Sequence, residues 1–250
     1  LAERNNFYLS FAVAQKEPTR SDFTDRYKFA ADDTYPSSEK LYDWELGYQY
    51  TAPRLSLGVN LYYMKYKDQL VPTGMVNDDS NALNTNVPDS YRRGVELSAS
   101  WRATGWFTVG ANATFSQNRI ENYVDALKDS PTYGKELGDM TIAYSPDVIA
   151  NAFLNFHHRG FEAVFHTQHV GKQYFTNNEN DALSLDAYSV TNLNLAYTFR
   201  TRSARSVRLG LLINNLFNAE YESNGYGYSY MDTWSATKEQ VSDFTLRFAS

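Results

Sequence analysis

The sequence predicts an all-β protein: an antiparallel, up-and-down transmembrane β-barrel of which about ten strands are present. Three observations carry that reading. The first is strict alternation. From Leu55, the residues Leu57, Val59, Leu61 and Tyr63 continue one face, and Ser56, Gly58, Asn60, Tyr62 and Met64 form the other. From Phe107, the set Val109, Ala111, Ala113 and Phe115 interleaves with Thr108, Gly110, Asn112, Thr114 and Ser116. Side chains of a strand repeat with period two, so each face is chemically uniform. An inner face of Asn, Ser, Thr, Gly and Glu is unsuited to a sandwich core and suited to a wet or plugged lumen, which leaves the apolar face for lipid. The second observation is that the connections run short, long, short, long. The third is the aromatic content, Tyr 20 and Phe 15 in 250 residues, which suits rings seated between lipid and water.

The strands follow in order. Asn6 to Gln15 carries Phe7, Leu9, Phe11 and Val13 outward, and Leu41 to Thr51 carries Trp44, Leu46, Tyr48 and Tyr50. Arg54 to Val71 is the longest. Ser90 to Trp101 presents Val95, Leu97, Ala99 and Trp101, and Trp106 to Asn118 follows it. Asp147 to His157 and Gly160 to Tyr174 form the next pair. Ala187 to Arg200 points Leu193, Leu195, Tyr197 and Phe199 outward, as Ser206 to Phe217 points Val207, Leu209, Leu211 and Ile213. Gln240 to Phe248 closes the series with Phe244, Leu246 and Phe248. Most of these exceed the ~5 to 6 residues usual in globular sheets and match the ~9 to 11 of a membrane strand.

Thr51 to Arg54, Arg102 to Gly105, His157 to Gly160 and Thr201 to Arg205 are tight, with Pro, Gly and polar residues suited to turns. Lys16 to Lys40, Pro72 to Asp89, Arg119 to Pro146, Phe175 to Asp186 and Asn218 to Glu239 are long. Membrane barrels have short periplasmic turns and long extracellular loops, so the alternation orients the chain and sends the last strand toward the periplasm. Trp101 and Trp106 flank one tight turn, where an interfacial aromatic girdle belongs.

Composition narrows the function. No apolar run approaches the ~20 residues of a membrane helix. Cys is absent, so there is no disulfide framework or thiolate metal site. A net charge of -6 lacks the basic footprint of nucleic-acid binding, so no nucleic-acid partner is expected. The chain opens at Leu1 without a charged leader or cleavable apolar segment, which fits a mature sequence or a fragment.

Several segments together resemble the C-terminal part of the β-barrel of a TonB-dependent outer-membrane receptor, in a style similar to Bacteroidetes-like bacteria. Asn214-Asn215-Leu216-Phe217-Asn218 followed by Tyr221 is the strongest. Glu17-Pro18-Thr19-Arg20, Pro36-Ser37-Ser38-Glu39 leading to Glu45-Leu46-Gly47-Tyr48, Arg93-Gly94-Val95-Glu96-Leu97 and Val170-Gly171-Lys172-Gln173-Tyr174 support it in that order. The resemblance implies a fragment, residues 1–250, of a ~22-stranded barrel, with the plug domain absent from it. It implies location in the outer membrane of a Gram-negative bacterium and partners in membrane lipid and, through the missing plug, the TonB complex. The function implied is energised uptake of a large scarce nutrient, a ferric siderophore first and cobalamin or a glycan as alternatives. These barrels often end on an aromatic residue, whereas Phe248 is followed here by Ala249 and Ser250. A ten-strand piece leaves two strand edges, through which a non-native dimer of the fragment would form.

Candidate functional residues fall in two groups. Glu45, Gln49, Asn60, Glu96, Asn112, Asn151, Asn155, Glu162, Gln168, Asn194, Arg208, Asn214, Asp243 and Arg247 are expected to face the lumen, as plain hydration of the wall or as contacts for a plug or cargo. Glu96 is a candidate partner for Arg208 or Arg247. In the extracellular loops Tyr221, Tyr226, Tyr228, Tyr230 and Trp234, interleaved with Gly225 and Gly227, give stacking surfaces for a ligand or an aromatic girdle, with Tyr133 and Tyr174 as further candidates.

No cofactor or metal is expected. His157 and His158 sit at a tight turn, and His166 and His169 point to opposite faces of their strand, so they cannot chelate one ion. Asp32-Asp33 and Asp78-Asp79 lack the spacing of an EF-hand. No catalytic residue is assigned, because no Gly-x-Ser-x-Gly elbow, phosphate loop or His-Glu-x-x-His occurs. The alternatives are a complete small porin or adhesin and a ten-stranded outer-membrane protease. The protease needs His and acidic residues together at the extracellular rim.

Overall fold

The computed structural model describes residues 2–27, 35–76, 82–126, 130–202, 205–232 and 240–249. Among these the strands are β1 (Asn5–Lys16), β2 (Glu39–Ala52), β3 (Leu55–Val76), β4 (Ala82–Arg102), β5 (Phe107–Ile120), β6 (Met140–Thr141), β7 (Val148–His158) and β8 (Phe161–Val170). They continue with β9 (Gln173–Tyr174), β10 (Ser184–Leu185), β11 (Tyr188–Phe199), β12 (Val207–Ile213), β13 (Glu222–Asp232) and β14 (Gln240–Ala249), and one helix, α1, spans Arg20–Tyr27. One antiparallel sheet runs β1-β2-β3-β4-β5-β7-β8-β11-β12, with β6 added to β5. Strands adjacent in this sheet are neighbours in sequence, as an up-and-down wall requires.

The register joins the apolar faces into one surface. Leu9 lies opposite Leu46, Leu46 opposite Leu61, and Leu61 opposite Val95. Val95 meets Phe115, and Phe115 meets Val148. Farther along, Leu154 faces Phe165, Phe165 faces Leu193, and Leu193 faces Ile213. Directly opposed residues share a face, so the apolar surface crosses all nine strands, on odd-numbered positions of β1, β3, β4, β5, β8, β11 and β12 and on even-numbered positions of β2 and β7. Leu9 is 80% exposed and Leu209 61% exposed. Such a contiguous apolar surface is what lipid covers.

Aromatic rings bound this surface at both ends. At the long-loop end Phe11 packs on Trp44 at 5.2 Å, Trp44 on Tyr63 at 5.8 Å and Tyr63 on Tyr91 at 6.3 Å. Arg93 lies over the Tyr91 ring at 5.2 Å. At the short-turn end Trp106, Phe107 and Phe156 cluster, with Phe107 and Phe156 at 4.6 Å, beside exposed Trp101. From Tyr91 to Trp101 the strand advances about 33 Å at ~3.3 Å per residue. At the ~40° tilt usual in such barrels this is a vertical span of about 25 Å, the height of a membrane barrel's apolar band.

The wall departs from the sequence reading in several places. The connection Pro72 to Asp89 is largely paired: β3 and β4 continue their ladder to Leu70 opposite Asn86 and Pro72 opposite Asn84. Cross-strand pairing there overrides Pro72 and Pro88, the apparent breakers. The span from Gly160 ends as a wall strand at Val170, because Gly171 turns to donate its amide to Val148 O at 2.8 Å. The span from Ser206 ends at Ile213 and not Phe217. Asn215 adopts φ 50° there, a left-handed conformation that Asn tolerates. Its side chain accepts from Ala219 N at 2.8 Å and donates to Ala219 O at 2.9 Å. Asn214 therefore lies in a bend and not on a lumen-facing strand position.

β13 occupies the middle of the predicted loop Asn218 to Glu239, so among the described residues there are eleven strands of seven or more residues. β14 pairs with β13 in a separate hairpin, with Tyr228 opposite Phe244, and among the described residues it is not joined to β12. Asp243 and Arg247 thus lie off the main wall; their side chains, like those of Tyr226, Tyr228 and Tyr230, lie outside the description, as do Trp234, Asp32-Asp33 and Asp78-Asp79 entirely.

Candidate functional site

The alternate positions, even-numbered except on β2 and β7, face the other way and build a concave polar surface. Gln49 lies opposite Gly58, Asn60 opposite Glu96, Glu96 opposite Thr114 and Asn112 opposite Asn151. The same row continues through Gln168, opposite Asn151, and Asn194, opposite Val164. Glu45 and Asn155 take the same side of β2 and β7. The strand register thus brings Glu45, Gln49, Asn60, Glu96, Asn112, Asn151, Asn155, Glu162, Gln168, Asn194 and Arg208 to one face.

Two adjoining hollows of about 340 and 350 Å³ mark this face and share Asn60, Glu96 and Thr114. Asn60 Nδ2 donates to Glu96 at 3.2 Å, and Asn151 Nδ2 donates to Asn112 at 3.2 Å. Asp43, Asn60 and Asn155 each keep a buried Oδ1 without a protein partner among the described residues. Glu96 does not pair with Arg208. Arg208 instead bonds Glu162 at 2.6 Å, because four strands, β5, β7, β8 and β11, stand between β12 and the β4 strand of Glu96, whereas only β11 separates β12 from β8.

Aromatic side chains on this face lie flat against glycine. Tyr8 is opposed to Gly47, Tyr62 to Gly94 and Phe153 to Gly110. In each case an added Cβ would strike the ring; at Gly94 it would stand 2.7 Å from the Tyr62 hydroxyl and would also strike Phe115 O. Covering glycine with a neighbouring ring stabilises the ladder where glycine alone weakens it. Tyr8 and Tyr62 line the two hollows. The sequence shows each ring and each glycine, but only the register pairs them.

At the long-loop end the connections fold into a platform with its own core. Val71, Val87, Ile120, Tyr123 and Ile142 are buried together, with Leu137 and Met140 against them. Phe175, Leu183 and Leu185 form a second cluster. Fully buried Asn177 joins the parts: its Oδ1 accepts from Ala143 N at 2.8 Å and its Nδ2 donates to Pro72 O at 2.6 Å. Asn177→Leu strands both partners, which costs about 1–3 kcal/mol per unsatisfied buried group. The expected outcome is faster hydrogen exchange at the Ala143 amide, with Asn112 and its neighbours on β5 unchanged.

Glu179 makes a second tie. It pairs with Arg119 and accepts from the Thr141 hydroxyl and, at 2.9 Å, the Thr141 amide. Burial pushes its carboxyl up, but the Thr141 bonds and the Arg119 guanidinium outweigh that and hold it below the ordinary value of 4.5. A carboxyl depressed in the folded state stabilises it above the ordinary value and ceases to do so as pH falls through the depressed one. Protease nicking of residues 171–187 should therefore increase on acidification below pH 4.5, and Glu179→Gln should be nicked alike above and below it.

The family-like segments have definite tasks in this architecture. In Glu17-Pro18-Thr19-Arg20, Thr19 starts α1: its amide and hydroxyl both donate to Asp22 at 2.7 Å, one half of a capping box. Ser37 is clamped by Asn86, which accepts from its amide at 2.8 Å and donates to its carbonyl at 3.0 Å. Lys172 pairs with Asp181 and lies over the Tyr174 ring at 4.9 Å. Tyr221 stacks on Tyr188 at 4.5 Å. Tyr133 sits exposed at a turn. Tyr144 reaches from the platform to Gly225 O of β13 at 3.3 Å. Tyr226, Tyr228 and Tyr230 occupy alternate positions of the paired strand β13, not a mobile loop, since each backbone position is matched on β14.

His157 and His158 stand at the tight turn, and His166 and His169 take opposite faces, opposed to Phe153 and Ala150. Among the described residues no group of three or more His, Asp or Glu gathers as a metal site.

A tall antiparallel wall with an apolar face, two aromatic girdles, a polar concave face and large loops at one end is the architecture of one side of a transmembrane β-barrel. Residues 1–216 match the TonB dependent receptor-like β-barrel family, and the chain belongs to that family. Its fold is similar to the ferric yersiniabactin uptake receptor FyuA of Yersinia pestis, with TM-score 0.65 and 18% identity over 99% of this chain. It is similar also to the copper transporter OprC, at 0.67 and 20% over 89%, and to the siderophore receptor PiuA of Acinetobacter baumannii, at 0.65 and 16% over 99%. In each comparison this chain spans 33% of the other protein's length.

Proposed function

We propose that this chain is a segment of the barrel wall, with capture loops, of an energised receptor in the outer membrane of a Gram-negative bacterium, and that its cargo is a ferric siderophore. The observation that carries the reading is the family match over residues 1–216, joined to a wall whose inner face keeps unpaired acceptors at Asp43, Asn60 and Asn155. Buried acceptors need donors, and a plug inside the lumen would supply them. The plug and the TonB-contacting segment then belong to sequence outside these 250 residues, residues 1–250 being one barrel segment. The short-turn end faces the periplasm and the platform faces outward.

In this reading Glu45, Asn60, Glu96, Asn112, Asn151, Asn194 and Arg208, with Asp243 and Arg247, face the plug and its water. Tyr221, Tyr226, Tyr228, Tyr230, Trp234, Tyr133 and Tyr174 contact the cargo outside. Three of the fold relatives cited or akin to them carry ferric chelates by name, the yersiniabactin, catecholate and enterobactin receptors, which supports iron over cobalamin or a glycan. Transport without catalysis fits the same relatives. Deleting the gene in its own host should abolish uptake of one radio-iron-labelled siderophore and leave cobalamin uptake intact. Unchanged uptake of every ferric siderophore, or loss of cobalamin or glycan uptake alone, would contradict the cargo. Uptake by the 250-residue piece alone would contradict its being only a part of the transporter.

A further inference from the structure

The cations of this wall are distributed unevenly. Toward the long-loop end acids are interspersed and several cations are paired: Lys65 with Asp89 and Glu121, Lys67 with Asp89, Arg119 with Glu179, Lys172 with Asp181 and Lys16 with Glu39. At the short-turn end Arg54, Arg102, Arg159, Arg200, Arg202 and Arg205 are all exposed, and none has an ion-pair partner among the described residues. The turn sequences 53–54, 103–106, 159–160 and 200–206 contain no Asp or Glu. The one nearby acid on the wall, Glu162, is taken by Arg208, and Glu3 at the start of β1 is offset by Arg4.

Backbone geometry holds these charges close together. Arg102 N donates to Arg54 O at 2.8 Å, so the two arginines leave adjoining strand ends side by side. Thr198 N donates to Gly160 O at 2.8 Å, which brings the Arg159 turn against the strand end that carries Arg200. His157 N donates to Trp106 O at 2.9 Å and links the two groups. Like charges held adjacent repel unless an anion lies between them. Immediately toward the membrane stand Trp101 and Trp106, exposed at 52% and 50%, the depth at which headgroups meet lipid chains.

From this juxtaposition we propose that the short-turn rim is a binding surface for anionic phospholipid, with the phosphate of a phosphatidylglycerol headgroup held by arginines and its glycerol region against the Trp101–Trp106 girdle. The inference rests on the periplasmic placement of the short turns given above, which makes the lipid one of the inner leaflet. Guanidinium forks suit phosphate oxygens, and arginines near an anionic surface are attracted to it within a Debye length.

The test uses the intact receptor that carries this wall, in nanodiscs of equal phosphatidylglycerol and phosphatidylethanolamine, with retained lipid measured by native mass spectrometry. The unaltered protein should retain phosphatidylglycerol at least about fivefold in excess, and about 1 M salt before release should abolish the excess. Arg54→Gln, Arg102→Gln, Arg159→Gln and Arg202→Gln together should bring the ratio near unity, and the four Arg→Lys changes should retain most of it. Equal retention by the unaltered protein, insensitivity to salt, or displacement by millimolar inorganic phosphate alone would overturn the proposal. The salt arm needs no substitution, so it decides the matter even if the glutamine variant does not fold. Gly105→Cys, at a turn position with open space around it, separates the two readings: labelling by an impermeant maleimide on intact cells would overturn the periplasmic orientation itself. Protection from label without a lipid preference would overturn the rim alone.

Discussion

Leu97→Arg should lower the stability of the wall in a bilayer by about 2–4 kcal/mol, the cost of a cation near the midplane of a lipid-facing surface. Its neighbour Glu96→Gln should change it by less than about 0.5 kcal/mol, as for a surface substitution. Leu97 lies halfway between the Tyr91 and Trp101 girdles, opposite Val59 and Ala113, where a guanidinium has no acid and no water within reach. Glu96 is on the polar face, and a glutamine oxygen still accepts from Asn60. Urea titration of the protein folded into vesicles measures both. The contrast between adjacent residues is the informative result, because a soluble sandwich would tolerate neither change or both.

Gly94→Val should be the other strongly destabilising change, by about 1–3 kcal/mol or more as overpacking in a filled site. Two neighbours fill the space that the new side chain requires: the Tyr62 ring and the main-chain oxygen of Phe115. A tyrosine can rotate away, but a carbonyl in a β-ladder cannot leave without breaking it. Gly47→Ala is the control, because the nearest atoms to an added Cβ there all belong to the Tyr8 side chain and that ring sits on the end strand β1. The same urea titration should therefore rank Gly94→Val well above Gly47→Ala. Tyr62→Ala combined with Gly94→Val should recover only part of the loss, since the Phe115 oxygen remains. Full recovery would mean that the ring alone sets the constraint.

The faces of the wall were legible because period two is written into each strand separately. Leu55 to Tyr63 and Phe107 to Phe115 needed no knowledge of their neighbours. Features that depend on register were not legible. Nothing in the sequence pairs Tyr62 with Gly94, or gives Arg208 to Glu162 and not to Glu96. Gly225 and Gly227 are poor strand formers and give β13 the composition of a loop, which pairing with β14 outweighs. The alternation of Tyr226, Tyr228 and Tyr230 is itself a strand signal as much as a stacking surface. The loop platform is not legible in the sequence because its core draws single apolar residues from distant segments: Val71 and Val87, Ile120, Tyr123 and Ile142. The segment from Asn214 to Asn218 identified the family correctly, yet its second asparagine ends a strand where alternation alone would continue it.

The central claim, that one face of this wall meets lipid and the other does not, is tested most directly along β4. The chain contains no native Cys, so single cysteines from Arg93 to Trp101 can carry nitroxide labels in the bilayer-embedded protein. Collision with oxygen, which concentrates in lipid, should peak at positions 93, 95, 97, 99 and 101, and collision with a water-soluble nickel chelate at 94, 96, 98 and 100. Uniform accessibility along the strand, or the opposite phase, would contradict it.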